Sequence, residues 1–428
     1  MRLIIFIILN FTIAFQIFSQ DFRVDSIAIF GNKSTKDYII TRELTFKIGD
    51  TVTDSILAYN KDRVYSLGIF TKVDFVPIEF DSVNILNIIV DEAWYIWPQI
   101  FAYKKNNTSN KYSYGIRTKI LNFRGRNELI DMINQFGYDN GFQLVYYAPY
   151  FLSSPYYGLY TKFSTLKTDN VSHEYKQLNN DTNFTLNNFI LGNAITYRTD
   201  VFNSYTFGFF YNHYKIGKNY INKSIPSQNH NYNLSFSYSY DTRDLKQIPQ
   251  QGNYHRIFLN TYFNENKSFY NSIKFDLRNY GHLYYNFSYK FRSVFAFLRG
   301  ENIDFTNRLF IGLDDKIRGY TSSILEGYNL LLLQYELRHP LHDETYLDLN
   351  FKFLPKSLGR YRFQTFLQFF VDYGKTTFHF DQLLKKSSQY GIGVSLNFLF
   401  LPYDALRIEY AFNKYKKGEF IIEGGFSF

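Results

Sequence analysis

Residues 233–240 read Asn233-Leu234-Ser235-Phe236-Ser237-Tyr238-Ser239-Tyr240, an unbroken alternation of large apolar or aromatic residues with small polar ones. Successive side chains of a strand point to opposite faces, so this stretch is a strand with one apolar face and one polar face. Tyr285, Phe287, Tyr289 and Phe291 repeat the pattern against Asn286, Ser288 and Lys290. In a soluble sandwich the polar face would meet water and the apolar face a second sheet. In a membrane barrel the apolar face meets lipid, the polar face lines a lumen, and aromatic residues crowd toward the strand ends. A surplus of 40 Tyr and 47 Phe against 2 Met and 2 Trp fits the barrel.

The pattern extends over residues 93–428, where helical periodicity largely vanishes. Sixteen strands would give each strand with its connection about 21 of those 336 residues, in keeping with spans of about 9–11 residues plus turns and loops. Counting alone leaves fourteen or eighteen open. The chain ends on the same alternation, with Phe420, Ile422, Gly424, Phe426 and Phe428 on one parity. Gly424-Gly425 falls inside this last segment, where glycine weakens a strand and can mark a bend. Two readings follow: a weak seam that opens so that another strand can pair with its edge, or room left for a neighbouring side chain.

Residues 1–20 carry a basic start at Arg2, an apolar run from Leu3 to Leu9 and a second ending near Phe18-Ser19-Gln20. This reads as a secretory signal peptide cleaved close to Ser19 or Gln20. Its loss removes one Arg and leaves 46 basic against 38 acidic residues. The excess is dispersed in stretches such as Lys104-Lys105-Asn106-Asn107, so nucleic acid is not an expected partner. The absence of Cys excludes disulfides and thiolate chemistry. Beyond the signal no segment has the 18 or more apolar residues of a membrane helix.

Residues 21–92 differ from the rest. A strand from Val24 to Phe30 ends at Gly31-Asn32, and Ser34 or Thr35 is placed to cap a short helix through Ile39, Ile40 and Leu44. Gly49-Asp50 breaks it. Thr53 is placed to cap a second helix with Leu57, Val64 and Leu67 on one face and Gly68 at its end. Two strands, Thr71 to Phe80 and Val83 to Val90, follow around Asp81-Ser82. The order is strand, helix, helix, strand, strand.

Ile317-Arg318-Gly319-Tyr320 lies between strand-like runs and is followed by Glu336 and Asp372 inside two of them. A guanidinium beside a glycine and an aromatic ring suits a loop that folds back into a polar cavity, because its fixed donors match carboxylates bidentately. Catalysis has little to stand on. His339-Pro340-Leu341-His342 is the only close histidine pair and lacks a third ligand, Gly391-Ile392-Gly393 has no helix to present to a phosphate, and no nucleophile elbow occurs. No cofactor or metal is expected.

Together these residues resemble the POTRA-plus-barrel superfamily of outer-membrane proteins, which includes the BamA and TamA insertases, the two-partner secretion transporters and the bacterial surface antigens. In the first module the likeness rests on Ile29-Phe30-Gly31-Asn32, Arg42-Glu43-Leu44 with Gly49-Asp50, Leu67-Gly68-Ile69-Phe70 with Val73, and Val90-Asp91-Glu92. In the barrel it rests on Asn122-Phe123-Arg124-Gly125, on Asp241-Thr242-Arg243-Asp244 followed by Pro249 and Gly252, and on Ile317-Arg318-Gly319-Tyr320. The resemblance implies that the last of these is the tip of the sixth extracellular loop, folded into the lumen so that Arg318 docks on Glu336 and Asp372. It makes Phe428 the terminal aromatic of the signal read by the assembly machinery.

The implied chain is mainly β, a transmembrane antiparallel barrel preceded by one α+β POTRA domain, in the outer membrane with that domain in the periplasm. Its implied work is polypeptide insertion or translocation rather than catalysis. Implied partners are outer-membrane lipid, unfolded or translocating polypeptides, and periplasmic chaperones or accessory lipoproteins. The alternative is a passive pore or structural surface antigen. The essential insertase carries several POTRA domains, and there is room here for one.

Overall fold

The structure is a computed structural model that describes residues 21–104, 112–152, 154–217, 227–265, 268–349, 352, 355–385 and 388–426. The expected signal peptide, the Lys105-Asn106-Asn107 stretch and Phe428 lie outside the described residues.

The N-terminal module comprises β1 (Phe22–Arg23), β2 (Ser26–Phe30), α1 (Asp37–Thr41), β3 (Thr51–Val52), α2 (Asp54–Tyr65), β4 (Phe70–Phe80) and β5 (Val83–Glu92). Its main sheet has the order β2-β5-β4, with β2 parallel and β4 antiparallel to β5. The β4–β5 hairpin turns through Asp81 and Ser82, both at positive φ, as a two-residue connection between right-twisted strands requires. Thr53 accepts the Ile56 N–H at the start of α2, and Gly68 at φ +71° closes the exit from that helix.

The expected capping of the first helix is not found. α1 begins after Lys36, which makes no side-chain cap, and stops at Thr41. Ser34 and Thr35 instead donate their N–H groups to Glu92 Oε1 at 2.9 and 2.7 Å, because the acid at the end of β5 lies beside that loop. The expected Val24–Phe30 strand is shortened to β2, and an unexpected β1 precedes it and pairs with an unexpected β3.

Seventeen further strands make the large sheet: β6 (Ile96–Lys104), β7 (Tyr112–Phe123), β8 (Glu128–Gly137), β9 (Asn140–Ala148), β10 (Tyr157–Asp169), β11 (Thr185–Arg198), β12 (Asn203–Ile216), β13 (Gln228–Asp241), β14 (Gly252–Asn264), β15 (Phe269–His282), β16 (Ser288–Glu301), β19 (Asn329–Pro340), β20 (Thr345–Asp348), β21 (Arg360–Thr377), β22 (Gln389–Leu401), β23 (Asp404–Asn413) and β24 (Gly418–Gly424). Between β16 and β19 a long loop carries the small hairpin β17 (Leu309–Ile311) and β18 (Leu325–Gly327). β19 pairs with the upper part of β21, from Phe366 to Thr377, and β20 pairs with its lower part, from Arg360 to Phe363. β19 and the short β20 therefore share one position, and the sheet has sixteen.

The sheet rolls into a barrel in which the first and last strands, β6 and β24, come to neighbouring positions. Antiparallel ladders link the neighbouring positions from β6 round to β24. Alternation divides each wall. Phe207, Phe209, Leu234 and Leu259 point outward and are 41–59% exposed, an apolar band suited to hydrocarbon, while Ser235, Ser237 and Asn260 line the interior.

The module sits against one mouth of this barrel. Its core of Val24, Ile39, Ile40, Val64, Val73, Leu86 and Ile88 is continuous with Leu245, Phe366, Leu399 and Leu401 of the barrel region. Two turns grip it. Asn122 donates to Thr35 Oγ1 at 2.8 Å and Lys36 N donates to the Gly125 carbonyl at 2.9 Å, while a Cβ at Gly125 would overlap the Ser34 carbonyl. Tyr59 OH donates to the Thr242 carbonyl at 2.9 Å. At the centre, Glu43 is buried and meets Arg198 at 2.6 Å and Arg63 at 3.3 Å.

Burial alone would raise the pKa of Glu43, but Arg198, Lys246 and Arg63 outweigh it and hold the carboxyl down at about 2. A depressed folded-state value contributes stability that is fully present above the unfolded value of about 4.3 and is lost as pH falls through the folded one. The docked module is accordingly expected to be insensitive to pH above about 4.3 and to loosen between there and about 2. Fluorescence of Trp94 and Trp97, the only two tryptophans and both at the junction, reports this. Glu43→Gln should abolish that acid transition and cost about 3 kcal/mol of docking at neutral pH; an unchanged acid profile in the variant would contradict the assignment.

Candidate functional site

The loop between β17 and β18 crosses the barrel interior and carries Ile317-Arg318-Gly319-Tyr320. Ile317 enters an apolar cluster with Ile311 of the loop's own hairpin and with Val294, Ala296, Leu330 and Leu332 of the wall. Gly319 takes φ +88°, which turns the chain, and its carbonyl accepts from Asn413 Nδ2 at 3.3 Å. The Tyr320 hydroxyl accepts from the backbone N–H of Lys414 at 3.2 Å.

Between these anchors the guanidinium of Arg318 is fully engaged. Nε and Nη2 donate to the two oxygens of Asp372 at 2.7 and 2.6 Å, and Nη1 donates to Glu336 Oε1 at 2.8 Å. The backbone N–H of Arg318 adds a further bond to Asp372 Oδ2 at 3.0 Å. The cation also lies 3.7 Å over the centroid of the Phe370 ring. Arg318 is 7% exposed, and Glu336 and Asp372 are wholly buried. An arginine fork suits this site and a lysine would not, because two acids on different strands are met by separate edges of one plane.

Sequence reasoning named three charges here, and the structure holds more. Glu409 lies 3.6 Å from Arg318 and 3.3 Å from Arg407, Lys290 meets Glu336 at 2.9 Å, and Glu423 is reached by Arg407 at 2.7 Å and Lys316 at 3.0 Å. With Arg318 and Asp372 these groups make four cations and four carboxylates, so the cluster is balanced in charge, with the Lys316–Glu423 pair at its solvent-facing edge. Asp315, earlier in the loop, pairs with Arg292 and Lys274, each at 2.7 Å. A usable signal existed: Glu409, Glu419 and Glu423 occupy the parity opposite the outward Tyr410, Phe420 and Ile422.

The last strand is part of the site. Thr321 bonds Glu419 through both its N–H and its hydroxyl, and Lys316 pairs with Glu423, so the loop is tied to the lumenal face of β24. Phe420 and Ile422 project outward. The expected parity fails beyond them. β24 ends at Gly424, Gly425 adopts φ +100°, and Phe426 turns back to pack on the cluster shared with the N-terminal module. A Cβ at Gly425 would meet nothing within 4 Å, and one at Gly424 only the Ala405 carbonyl at 4.0 Å, so neither glycine makes room for a neighbour. Among the expected module residues, Phe70 is buried, Gly31 and Gly49 take positive φ, Asn32 donates to the Thr35 carbonyl at 2.9 Å, Asp50 accepts from Lys47 N at 2.8 Å, and Leu67 packs at the core's edge. No group of three or more metal-ligating acids or histidines occurs among the described residues.

A sixteen-position barrel with a lumen-docked arginine loop and a small α+β module at one mouth defines the POTRA-plus-barrel class of outer-membrane protein. The chain belongs to the Omp85 superfamily: the model of the Omp85 superfamily domain matches residues 122–428, and the POTRA model, described as a surface antigen variable number repeat, matches residues 22–93. Its fold is that of BamA from Haemophilus ducreyi lacking POTRA domains 1–3, at a TM-score of 0.55 and 17% identity over 94% of this chain and 84% of that one. CdiB from Acinetobacter baumannii aligns at 0.53 and 14% over 95% and 73% of the two chains, and CdiB from Escherichia coli at 0.56 and 8% over 96% and 91%. No curated protein matches the chain by sequence. The family is one of outer-membrane insertases and translocators.

Two substitutions separate the charge from the fit of the loop. Arg318→Ala strands Asp372 without its cation, leaves Glu336 to Lys290 alone, and is expected to cost about 3–5 kcal/mol, read as a lowered midpoint of heat-induced mobility change. Gly391→Ala leaves every charge in place but puts a Cβ onto the Arg318 carbonyl. It should free the loop to added protease while the barrel itself stays folded; a loop equally protected in both variants would show that the contacts do not hold it.

Proposed function

We propose that this chain is a bacterial outer-membrane factor that captures unfolded or translocating polypeptides on its periplasmic POTRA domain and passes them into the bilayer or the lumen through the barrel. The observation that carries the reading is the grip of the lumen-docked loop on the last strand, through Thr321 on Glu419 and Lys316 on Glu423, at the place where β24 meets β6 and the barrel closes. A strand edge released at that closure would present backbone donors and acceptors to any extended chain without demanding a sequence. The free edges β2 and β4 of the POTRA sheet offer the same chemistry on the periplasmic side, to clients and to chaperones or accessory lipoproteins.

In this mechanism the Arg318 loop acts as a lock. Its bonds to Glu419 and Glu423 hold β24 from inside, so the position of the last strand and the docking of the loop are set together. A client strand that pairs with β6 or β24 satisfies its backbone groups there, and completing its own barrel in lipid provides the driving force. No nucleotide, metal or covalent step is invoked. A passive pore fits less well, because the POTRA core runs without a break into the barrel mouth.

The cysteine-free chain makes the test clean. Photo-crosslinkers at Phe420 and Ile422 in β24 and at Ile100 in β6 are expected to trap an unfolded barrel client, and the trapped yield should fall in Arg318→Ala. A purified protein that gives steady ion conductance in planar bilayers and no client adducts would sink this reading in favour of the pore.

A further inference from the structure

On the outer face of β10 to β13 the register lines residues up in rows. Tyr157, Tyr197, Tyr205 and Tyr238 are paired in turn, one on each strand, near the end where Arg63 of the POTRA domain donates to the Val201 carbonyl at 3.0 Å. They make an aromatic belt at the periplasmic rim. Ten residues from this belt along each strand lies a second row, Lys167, Asn187, Lys215 and Gln228, again paired in turn. All four are exposed, while their chain neighbours Leu186, Tyr214 and Asn229 are buried, so the row faces outward. Ten residues at about 3.3 Å each, on strands tilted by about 40°, rise about 25 Å, the height of the apolar band of such a barrel. The second row therefore stands at the opposite headgroup level, on the extracellular side.

Between the rows the wall is largely apolar: Leu191, Phe207, Phe209 and Leu234 are 44–59% exposed. One rung below the lysine row His213 and His230 pair across their strands with rings stacked at 4.2 Å, where hydrocarbon gives way to polar groups. Lys167 and Lys215 lie two strands apart, about 10 Å, with Asn187 between them. Neither lysine has a carboxylate within 4 Å among the described residues. Two acids stand near the row without belonging to it. Asp169, one rung beyond Lys167, is buried and accepts from the Tyr138 hydroxyl at 2.5 Å, and Glu265 follows the end of β14, two strands from Lys215.

Two ammonium groups free of carboxylates at headgroup depth, with an amide donor between them, suit an anion that offers oxygens to both sides, and the apolar wall below suits acyl chains. A phosphate monoester carries nearly two charges at neutral pH and three free oxygens. We propose that this face binds an anionic lipid of the outer leaflet whose headgroup ends in a phosphate monoester. Lys167 and Lys215 receive the phosphate from either side, Asn187 donates its side-chain N–H between them, and the acyl chains lie on Phe163, Phe189, Leu191 and Phe209. The site is across the barrel from the closure between β6 and β24. Its depth in the membrane rests on the periplasmic position of the POTRA domain proposed above, and on nothing in client capture.

Native mass spectrometry of the full-length protein in detergent, with no client present, tests it. The probe is dipalmitoyl phosphatidic acid, and the comparators are phosphatidylcholine with the same chains and inorganic phosphate. Phosphatidic acid should bind about ten-fold more tightly than phosphatidylcholine and should not be displaced by equimolar inorganic phosphate. Lys167→Gln and Lys215→Gln, on different strands, should each weaken phosphatidic acid about five-fold and leave phosphatidylcholine unchanged. Lys33→Gln, at an exposed lysine of the POTRA domain, should change neither. Each variant is checked for an intact heat-modifiable barrel. Equal affinity for the two lipids, displacement by equimolar inorganic phosphate, indifference to both barrel substitutions, or an equal loss in Lys33→Gln would overturn the proposal.

Discussion

The bidentate contact between Arg318 and Asp372, backed by Glu336, is the constraint around which the barrel interior is arranged. A cation removed from water must meet its counter-charges at close range or not be buried at all. Meeting two acids on β19 and β21 with one guanidinium fixes the loop in three dimensions, because the fork has no freedom left once all three nitrogens are bonded. The rest follows from that placement. Ile317 falls onto the Leu330 and Leu332 cluster, the carbonyl of Arg318 needs a glycine at 391, and the flanking Lys316 and Thr321 arrive at the last strand.

A second set of contacts holds the POTRA domain to the barrel mouth, and it has a different character. Here Glu43 lies at the centre of several cations, and backbone carbonyls of the barrel turns accept from module side chains. The turn at residues 122–125 and the one at residues 241–244 are built for this use. The first is at positive φ at Asn122, Arg124 and Gly125, which exposes carbonyls and removes a side chain where Ser34 approaches. Membrane spanning and periplasmic docking are thus served by opposite ends of the same strands.

Much of this architecture was legible in the chain. Period-two alternation in segments such as 233–240 marks a wall with one lipid face and one lumenal face, and the order strand, helix, helix, strand, strand in residues 21–92 matches the module apart from the added two-residue pair β1 and β3. Arg318 stood out as a guanidinium beside a glycine and an aromatic ring in a loop, and Glu336 and Asp372 as carboxylates inside the strand-like runs that follow it. What could not be read was tertiary in origin. Ser34 and Thr35 look like helix caps until Glu92, far along the chain, claims their N–H groups. The parity of the last segment holds to Ile422 and then breaks, since only the conformation of Gly425 turns Phe426 inward. Glu409, Glu419 and Glu423 sit at lumenal parity, but which loop they would face depends on how the sheet rolls. Strand number also needed the register, for β19 and β20 count as one only because both pair with β21.

That long strand has a mechanical consequence. β21 is continuous from Arg360 to Thr377. Near its start Arg360 and Arg362 grasp Asp91 and Asp62 of the POTRA domain, and twelve residues beyond Arg360 the same strand presents Asp372 to Arg318. At about 3.3 Å per residue the two contacts are some 40 Å apart along one hydrogen-bonded rod with no hinge between them. A tilt imposed on the periplasmic domain is therefore delivered as a displacement of the anchor deep in the barrel, and the strand works as a lever whose two ends are gripped by different parts of the machine.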